Sequence, residues 1–404
     1  MAVLAPMDRS AAQQPAAPID QILRAAVERG DVPGVVAMAA TSDRIIYQGA
    51  FGSRHAATGE PMAVDSMFVI ASMTKAITSV AAMQLVETGE LSLDGLVSEH
   101  IPGFADLQVL EGFDAAGVPR LRPPAGPVTL RHLLTHTSGF GYEIWDPLLR
   151  EAAGSLMPRL FEGGAGYLQA PLVFDPGSRW QYGISTDWLG RLVEAVRGTS
   201  LDQVFETEIF GPLRMTESFF NPPAEASARL ATVHLRQPDG NLVERTPTDL
   251  VPRTPSGGGG LYSTAPDYMR FLRALLRGGE LEGRTILQAG TVSRMGQDMI
   301  APLEMGFLRT EMPALSNDFE LFPGSTSGFG LGFAINHEPI EGGRAVGSLA
   351  WAGLYNTYFW VDPTTDVCGV LMTQILPFYD ANVVSLLSEF ESAVYGSLDE
   401  NGSG

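Results

Sequence analysis

The chain has 404 residues, of which 45% are hydrophobic and 18% charged, a composition typical of one large globular domain or two. Its 26 basic and 46 acidic side chains give a formal net charge of −20, which disfavours binding to the phosphate backbone of nucleic acids. A single cysteine, Cys368, excludes a disulfide within the chain, and the apolar run around it indicates a core position.

The first twenty residues do not have the pattern of a secretory signal, because they lack a basic n-region and because Pro6 and Asp8 interrupt their apolar stretch. No charge-free apolar run of about 18 residues indicates a membrane span. We therefore expect a cytoplasmic protein with neither a nucleic-acid nor a membrane partner; the sequence leaves its oligomeric state open.

The predicted elements begin with a helix over 20–29 and a hairpin made of GVVAMAA and RIIYQGAFG. The stretch FVIASMTKAITSVAAMQLV, residues 68–86, predicts a helix because its apolar side chains recur at three- and four-residue spacing. From about residue 90 to 225 the strand patterns thin out, and turn-rich loops separate helical patterns such as TLRHLLTH and TDWLGRLVEAVRG.

After residue 225 a helix is predicted in APDYMRFLRALLRGG, followed by a poorly patterned stretch, 299–327, that we expect to form a surface flap shaping the pocket. Three strands, in GFGLGFAINH, YNTYFWVD and VCGVLMTQ, and a helix over 381–395 complete the chain. The simplest packing is an α+β fold. Residues 1–89 and 226–404 form an antiparallel sheet flanked by helices, and 90–225 form a mostly helical second domain.

Lys75 is the only charged side chain between Asp65 and Glu87, in an otherwise apolar helix. Burial disfavours the ammonium form, so such a lysine can accept a proton near neutral pH. Ser72 lies three residues earlier, on the same helix face, near a helix start whose N–H groups favour developing negative charge. The pair therefore indicates an acylation site. In the alternative, Ser72 caps the helix and Lys75 extends to the surface, and Ser-x-x-Lys alone is a weak signal.

Other motifs strengthen this interpretation: LRHLLTHTSGFGY, PGSRWQYGIS, PSGGGGLYST and WAGLY follow SMTK in the chain. Together they resemble the serine β-lactamases and penicillin-binding proteins, in which Ser-x-x-Lys is the first active-site element. The likeness is greater to the class C β-lactamase-like esterases called family VIII carboxylesterases, and it covers most of the chain. It implies a β-lactamase-like fold, no cofactor or metal, and an active site at the interface of the two domains.

The resemblance also implies roles for individual residues. Ser72 matches the nucleophile, Lys75 its partner base, and Tyr182 the tyrosine of a Tyr-x-Asn element; either Lys75 or Tyr182 takes the proton from Ser72. The backbone N–H groups of Ser72 and Leu354 would form the oxyanion hole. The remaining pocket residues implied are Trp351 and Gly353, which match the ends of a Lys-Thr-Gly strand, with Tyr142 and Ile184.

Two departures from the family pattern bear on the substrate. Ile184 stands where the family has an asparagine, and Trp351 stands where it has a lysine, so an amide and a cation that would contact a β-lactam are missing. An apolar site does not select a polar group as strongly as a hydrogen-bonding site does. We therefore expect an uncharged ester with a small acyl group.

Four other patterns have a structural interpretation. His132 and His136 have the spacing of a zinc-binding helix but lack the intervening glutamate, so we expect structural histidines. The PSGGGG run lacks the Lys-Ser/Thr of a phosphate loop and predicts a tight turn near the site. Asp187 either anchors a site residue or caps its helix. GSTSG carries Thr326 at its centre, which argues against an α/β-hydrolase.

The function expected from this set is a serine carboxylesterase that hydrolyses small-molecule, short-chain esters through an acyl-enzyme. The alternatives are an acyltransferase using the same three residues, a weak β-lactamase or D-peptidase, and a non-catalytic penicillin-recognising scaffold.

Overall fold

A computed structural model describes residues 16–160, 166–245 and 254–402. Most of the segment on which the secretory-signal prediction rests, residues 1–15, lies outside these ranges. The helices found in them are α1 (Ala16–Glu28), α2 (Thr74–Glu87), α3 (Leu130–Leu134), α4 (Pro147–Ala152), α5 (Ser185–Arg197), α6 (Leu201–Phe205), α7 (Gly211–Leu213), α8 (Ala224–Ser227), α9 (Ala265–Leu276), α10 (Ala289–Met295) and α11 (Ala381–Gly402). Short 3₁₀ turns occupy Ala71–Met73, Val97–Glu99, Pro102–Asp106 and Gly166–Gln169, and a π-helical turn occupies Glu206–Phe210.

The strands are as follows: β1 (Gly34–Ala40), β2 (Ile45–His55), β3 (Glu60–Pro61), β4 (Met67–Val69), β5 (Val109–Phe113), β6 (Pro119–Arg122), β7 (Val233–Arg236), β8 (Leu242–Arg245), β9 (Tyr262–Thr264), β10 (Glu280–Leu281), β11 (Arg284–Thr285), β12 (Ser327–Phe329), β13 (Ala334–Asn336), β14 (Leu349–Gly353), β15 (Thr357–Asp362), β16 (Val367–Met372) and β17 (Ile375–Leu376).

Eight strands form the main sheet, in the order β12-β13-β14-β15-β16-β1-β2-β3, and every neighbouring pair is antiparallel. Helices cover both faces. Phe359 of β15 packs on Tyr268 of α9, with ring centroids 5.4 Å apart, while its neighbour Trp360 packs on Phe390 of α11 at 5.7 Å. Consecutive strand residues point to opposite faces, so α9 and α11 lie on opposite sides. The sheet is therefore buried between helices, as predicted.

The predicted helix over 68–86 is shorter in the structure. Met67–Val69 form β4, which pairs with β9, and a 3₁₀ turn over Ala71–Met73 precedes α2. A short apolar run is compatible with a buried strand as well as with a helix, and here the pairing with β9 decides between them.

Two further segments differ from the sequence-based expectation. The region 90–225 contains the hairpin β5–β6, whose turn is held by the Asp114 carboxylate accepting hydrogen bonds from the N–H groups of Ala116 and Val118. The stretch 299–327 is irregular but packed, since Phe319 lies on Trp351 and Ser316 accepts a hydrogen bond from the Trp145 indole. Within the described ranges, no helix combines the length and the apolar character needed to cross a bilayer.

Candidate active site

The turn that carries Ser72 is held in an unusual backbone conformation. Ala71 has a φ of +43°, a value that costs a non-glycine residue about 1–3 kcal/mol and that recurs at functional sites. The N–H of Ile70 donates to the Leu261 carbonyl and the N–H of Met73 donates to the Ile70 carbonyl, which fixes both sides of the bend. Ser72 is thereby presented, half-buried, in the lining of a cavity.

Lys75 is buried, with 2% of its surface exposed, one helical turn after Ser72. Its Nζ lies 3.3 Å from Ser72 Oγ, 3.1 Å from the Tyr142 hydroxyl and 2.5 Å from the Gly258 carbonyl oxygen. Three hydrogen-bonding partners compensate the amine for lost hydration. Lys75 therefore does not extend to the surface, and its amine is fixed beside the serine.

Tyr182 approaches Ser72 from the segment that leads into α5. Its hydroxyl donates a hydrogen bond of 2.6 Å to Ser72 Oγ, and its ring packs edge-on against His136 at 5.1 Å, Tyr142 at 5.3 Å and Trp351 at 4.9 Å. Gly183 makes this position possible, because a Cβ there would lie 2.5 Å from the Phe140 carbonyl oxygen. The structure thus brings Ser72, Lys75 and Tyr182 together from three segments.

A hydrogen-bonded group surrounds the lysine on the side away from Ser72. The Tyr142 hydroxyl donates to Asp187 Oδ2 at 2.9 Å, the Tyr167 hydroxyl donates to Asp187 Oδ1 at 2.7 Å, and Ser256 also donates to Oδ1. Burial, and next the Asp187 charge, hold the pKa of Tyr142 well above its usual value, so this phenol keeps its proton. Tyr142 therefore links the carboxylate to the lysine as well as lining the cavity.

The PSGGGG run forms the turn that closes this group. A Cβ on Gly258 would lie 2.0 Å from Asp187 Oδ2, and one on Gly257 would lie 2.4 Å from the Thr186 carbonyl oxygen. Thr78 of α2 donates to the Gly257 carbonyl at 2.7 Å. Only glycine fits between α2 and α5 at these two positions. The sequence predicted a tight turn near the site here, but it did not indicate Tyr167 as a site residue or the contacts that Ser256 and Gly258 make with Asp187 and Lys75.

Leu354 follows β14 and lines the same cavity as Ser72. The close packing of this strand end against the segment before Ser72 depends on Gly353, where a Cβ would lie 2.3 Å from both the Ile70 carbonyl oxygen and Thr357 Oγ1. The strand end is thus in close contact with the segment that leads to Ser72. Backbone N–H groups in such a position can stabilise a developing oxyanion.

Three residues predicted for the pocket are not among the residues that line this cavity, so their contact with substrate stays a prediction. Trp351 is 4% exposed and packs on Tyr182 and Phe329, Gly353 is used for the close approach of β14, and Ile184 is 2% exposed at the start of α5. The apolar side chains that do line the cavity, apart from the tyrosine rings, are Val69, Ala71, Ile144, Trp145, Leu160 and Leu354. Trp351 acts on the site through the Tyr182 ring.

The histidine pair does not have the surroundings of a metal site. Burial, and next the Lys75 charge, place the pKa of His136 well below its usual value, and its ring packs on Tyr182 and Phe329. Burial also lowers the pKa of His132. Among the described residues no cluster of metal-binding side chains occurs. His136 is therefore a packing residue in the described structure, whereas His132 Nδ1 accepts a hydrogen bond from the Thr129 N–H at the start of α3.

Replacing Gly353 with alanine should destabilise the protein. The new Cβ would meet a carbonyl oxygen and a hydroxyl at 2.3 Å, and overpacking of this kind lowers the free energy of unfolding by about 1–3 kcal/mol. Urea denaturation measures this change. Gly126→Ala is the control, because nothing lies within 4 Å of a Cβ there. Equal midpoints for the two variants would contradict the close approach of β14.

A family model described as Beta-lactamase matches residues 19–385. The chain belongs to the beta-lactamase family. Its relatives in this family include monacolin J acid methylbutanoyltransferase of Aspergillus terreus, 34% identical over 98% of this chain and 99% of the relative, and lovastatin esterase of Penicillium rubens, 32% identical over 93% and 98%. A mutant simvastatin synthase from Aspergillus terreus has a similar structure, with a TM-score of 0.83, 33% identity and 96% of both chains covered.

These comparisons confirm the predicted β-lactamase-like fold and make this member of the beta-lactamase family an enzyme of the serine hydrolase and acyltransferase superfamily. They include both transferases and an esterase, so membership of the narrower family VIII carboxylesterases does not follow from them.

Proposed function

We propose that the protein is a serine acyltransferase, which takes a short acyl group onto Ser72 and passes it to an alcohol. The observation that carries this proposal is the position of Ser72 Oγ, 2.6 Å from the Tyr182 hydroxyl and 3.3 Å from Lys75 Nζ, in a largely apolar cavity. The full-length likeness to a methylbutanoyltransferase supports transfer over hydrolysis as the main reaction.

In the first half-reaction Ser72 Oγ attacks the carbonyl carbon of the acyl donor, and its proton passes into the Lys75–Tyr182 pair. The N–H groups of Ser72 and Leu354 would stabilise the negative charge on the carbonyl oxygen. The tetrahedral intermediate then collapses, the bond to the leaving group breaks, and the leaving group departs with a proton from the Lys75–Tyr182 pair.

In the second half-reaction an alcohol enters beside Tyr182 and attacks the acyl carbon. Its proton passes to the same pair, and Ser72 Oγ recovers a proton as the acyl bond to the enzyme breaks. The apolar lining supplied by Ile144, Trp145 and Leu160 suits an uncharged acyl group and holds little water, which favours the alcohol as the acceptor.

Ester hydrolysis is the second candidate, and the lovastatin esterase relative favours it. Water would then take the place of the alcohol, as in the family VIII carboxylesterases that the sequence resembles. Hydrolysis of a β-lactam is disfavoured, because the apolar, buried Ile184 replaces an amide that would contact the β-lactam side chain, and the apolar, buried Trp351 replaces a cation that would bind the substrate carboxylate.

Product analysis tests the main proposal. A short-chain aryl ester is supplied with increasing concentrations of an alcohol acceptor, and the new ester and the free acid are separated by chromatography. We expect the new ester to become the major product as the alcohol rises, while Ser72→Ala yields neither. Free acid alone at every alcohol concentration would make the protein an esterase.

A further inference from the structure

Asp187 is a buried carboxylate two hydrogen bonds from the amine of Lys75. It is 4% exposed, and the Tyr142 hydroxyl lies between the two groups, 2.9 Å from Asp187 Oδ2 and 3.1 Å from Lys75 Nζ. Because Tyr142 donates its proton to the carboxylate, its oxygen is left to accept from the lysine. The hydrogen bonds thus run from the lysine amine to the Tyr142 hydroxyl and from that hydroxyl to the carboxylate.

Asp187 accepts hydrogen bonds at both of its carboxylate oxygens, from the hydroxyl groups of Tyr142, Tyr167 and Ser256. Buried charges need a partner of opposite sign. Arg191, one turn later on α5, is occupied by Glu194 at 2.7 Å and is partly exposed. Lys75 is the buried cation linked to Asp187 by this contact chain.

Apart from Asp187, the titratable groups that face Lys75 do not balance its positive charge. Lys75 Nζ lies 4.8 Å from the Tyr182 ring centroid and 5.2 Å from that of Tyr142, contacts that favour a cation. His136 is kept neutral by burial, which places its pKa well below the usual value. Helix α2 contributes no other charged side chain between Lys75 and Glu87. The groups that face the lysine are Ser72, His136, Tyr142, Tyr182 and, through Tyr142, Asp187 with Tyr167.

We propose that Asp187, acting through Tyr142, holds Lys75 in its ammonium form, so that Lys75 serves as a fixed cation and Tyr182 exchanges the proton of Ser72. Asp187 is then a positioning residue, since Tyr142 and Lys75 stand between it and the reacting serine in the chain of hydrogen bonds. The inference rests on the proposed acyl-enzyme function and adds the charge state in which the site works.

The test is the pH dependence of acylation in Asp187→Asn, a substitution that keeps the size of the side chain and removes its charge. The burst of aryl alcohol from a short-chain aryl ester is followed across the pH range for wild type and variant. We expect the alkaline loss of activity to move to lower pH by at least about one pH unit in the variant, because the lysine ammonium has lost its counter-charge. The value of kcat should fall more than KM changes.

Two further variants keep the test decisive. Tyr142→Phe removes the bridging hydroxyl and should move the alkaline loss in the same direction by a smaller amount; it carries the test if Asp187→Asn does not fold. Ser256→Ala removes a neutral donor to the same carboxylate and should leave the pH of the alkaline loss unchanged, whatever its effect on the rate.

The inference would be overturned if activity were lost at the same alkaline pH in wild type, Asp187→Asn and Tyr142→Phe. So would a displacement of the acidic limb alone, which is the result expected if neutral Lys75 is the base. Mass spectrometry of each quenched reaction separates the two proposals. An acyl adduct on Ser72 with unchanged pH limbs overturns the inference alone, whereas wild type without an adduct overturns the proposed function as well.

Discussion

Ser72→Ala should abolish acyl transfer and ester hydrolysis together, with kcat falling by at least about 10³-fold. The variant keeps the backbone N–H that would contribute to the oxyanion hole but loses the atom that forms the covalent bond. Intact-protein mass spectrometry after incubation with the aryl ester should show one acyl adduct on wild type and none on the variant. The fold should survive, since Ser72 is half-buried and α2 is held by its apolar contacts.

Ser79→Ala is the matched control for this variant. Ser79 lies two turns further along α2, is 1% exposed, and its hydroxyl has no hydrogen-bond partner in the described structure. Removing it should leave the acyl adduct in place. Retention of most activity by Ser72→Ala, or an adduct that persists on it, would exclude Ser72 as the nucleophile.

Tyr182→Phe should lower kcat by about 10² to 10⁴-fold, the usual contribution of a positioned proton-transfer group. The phenyl ring retains its contacts with Trp351 and His136, so the variant loses only the hydroxyl that lies 2.6 Å from Ser72 Oγ. Single-turnover measurement of the acylation rate separates this effect from substrate binding, and KM should change little.

Tyr47→Phe provides the comparison, because it also removes one tyrosine hydroxyl, which donates to Asp20 outside the cavity. Its acylation rate should equal that of wild type. If Tyr182→Phe acylates at the wild-type rate too, the proton does not pass through this phenol, and Lys75 remains as the base.

Local patterns predicted the elements that carry the site. Ser72 and Lys75 lie three residues apart across the 3₁₀ turn and the start of α2, and the hairpin of β1 and β2 joins neighbouring segments. Such signals depend on residues a few positions apart, which is why they can be read without the fold.

The group around Asp187 depends on tertiary packing. Tyr142, Tyr167, Asp187 and Ser256 come from four separate segments, and each is an ordinary residue type in its own sequence context. The position of Trp351 behind Tyr182 escaped prediction for the same reason, because a family motif places a residue in a strand without fixing which groups stand between it and the substrate.

The order of strands in the main sheet determines when the enzyme can become active during its own synthesis. Strand β1 lies between β2 and β16, with Val36 opposite Met372, so the middle of the sheet is completed by residues more than 300 positions apart. Contacts of this kind form late, because closing so long a loop costs conformational entropy before the strand pairing can stabilise the sheet. A nascent chain that already carries Ser72 and Lys75 lacks β14, β16 and Leu354. Catalytic competence therefore arises only once the residues through β16 have left the ribosome.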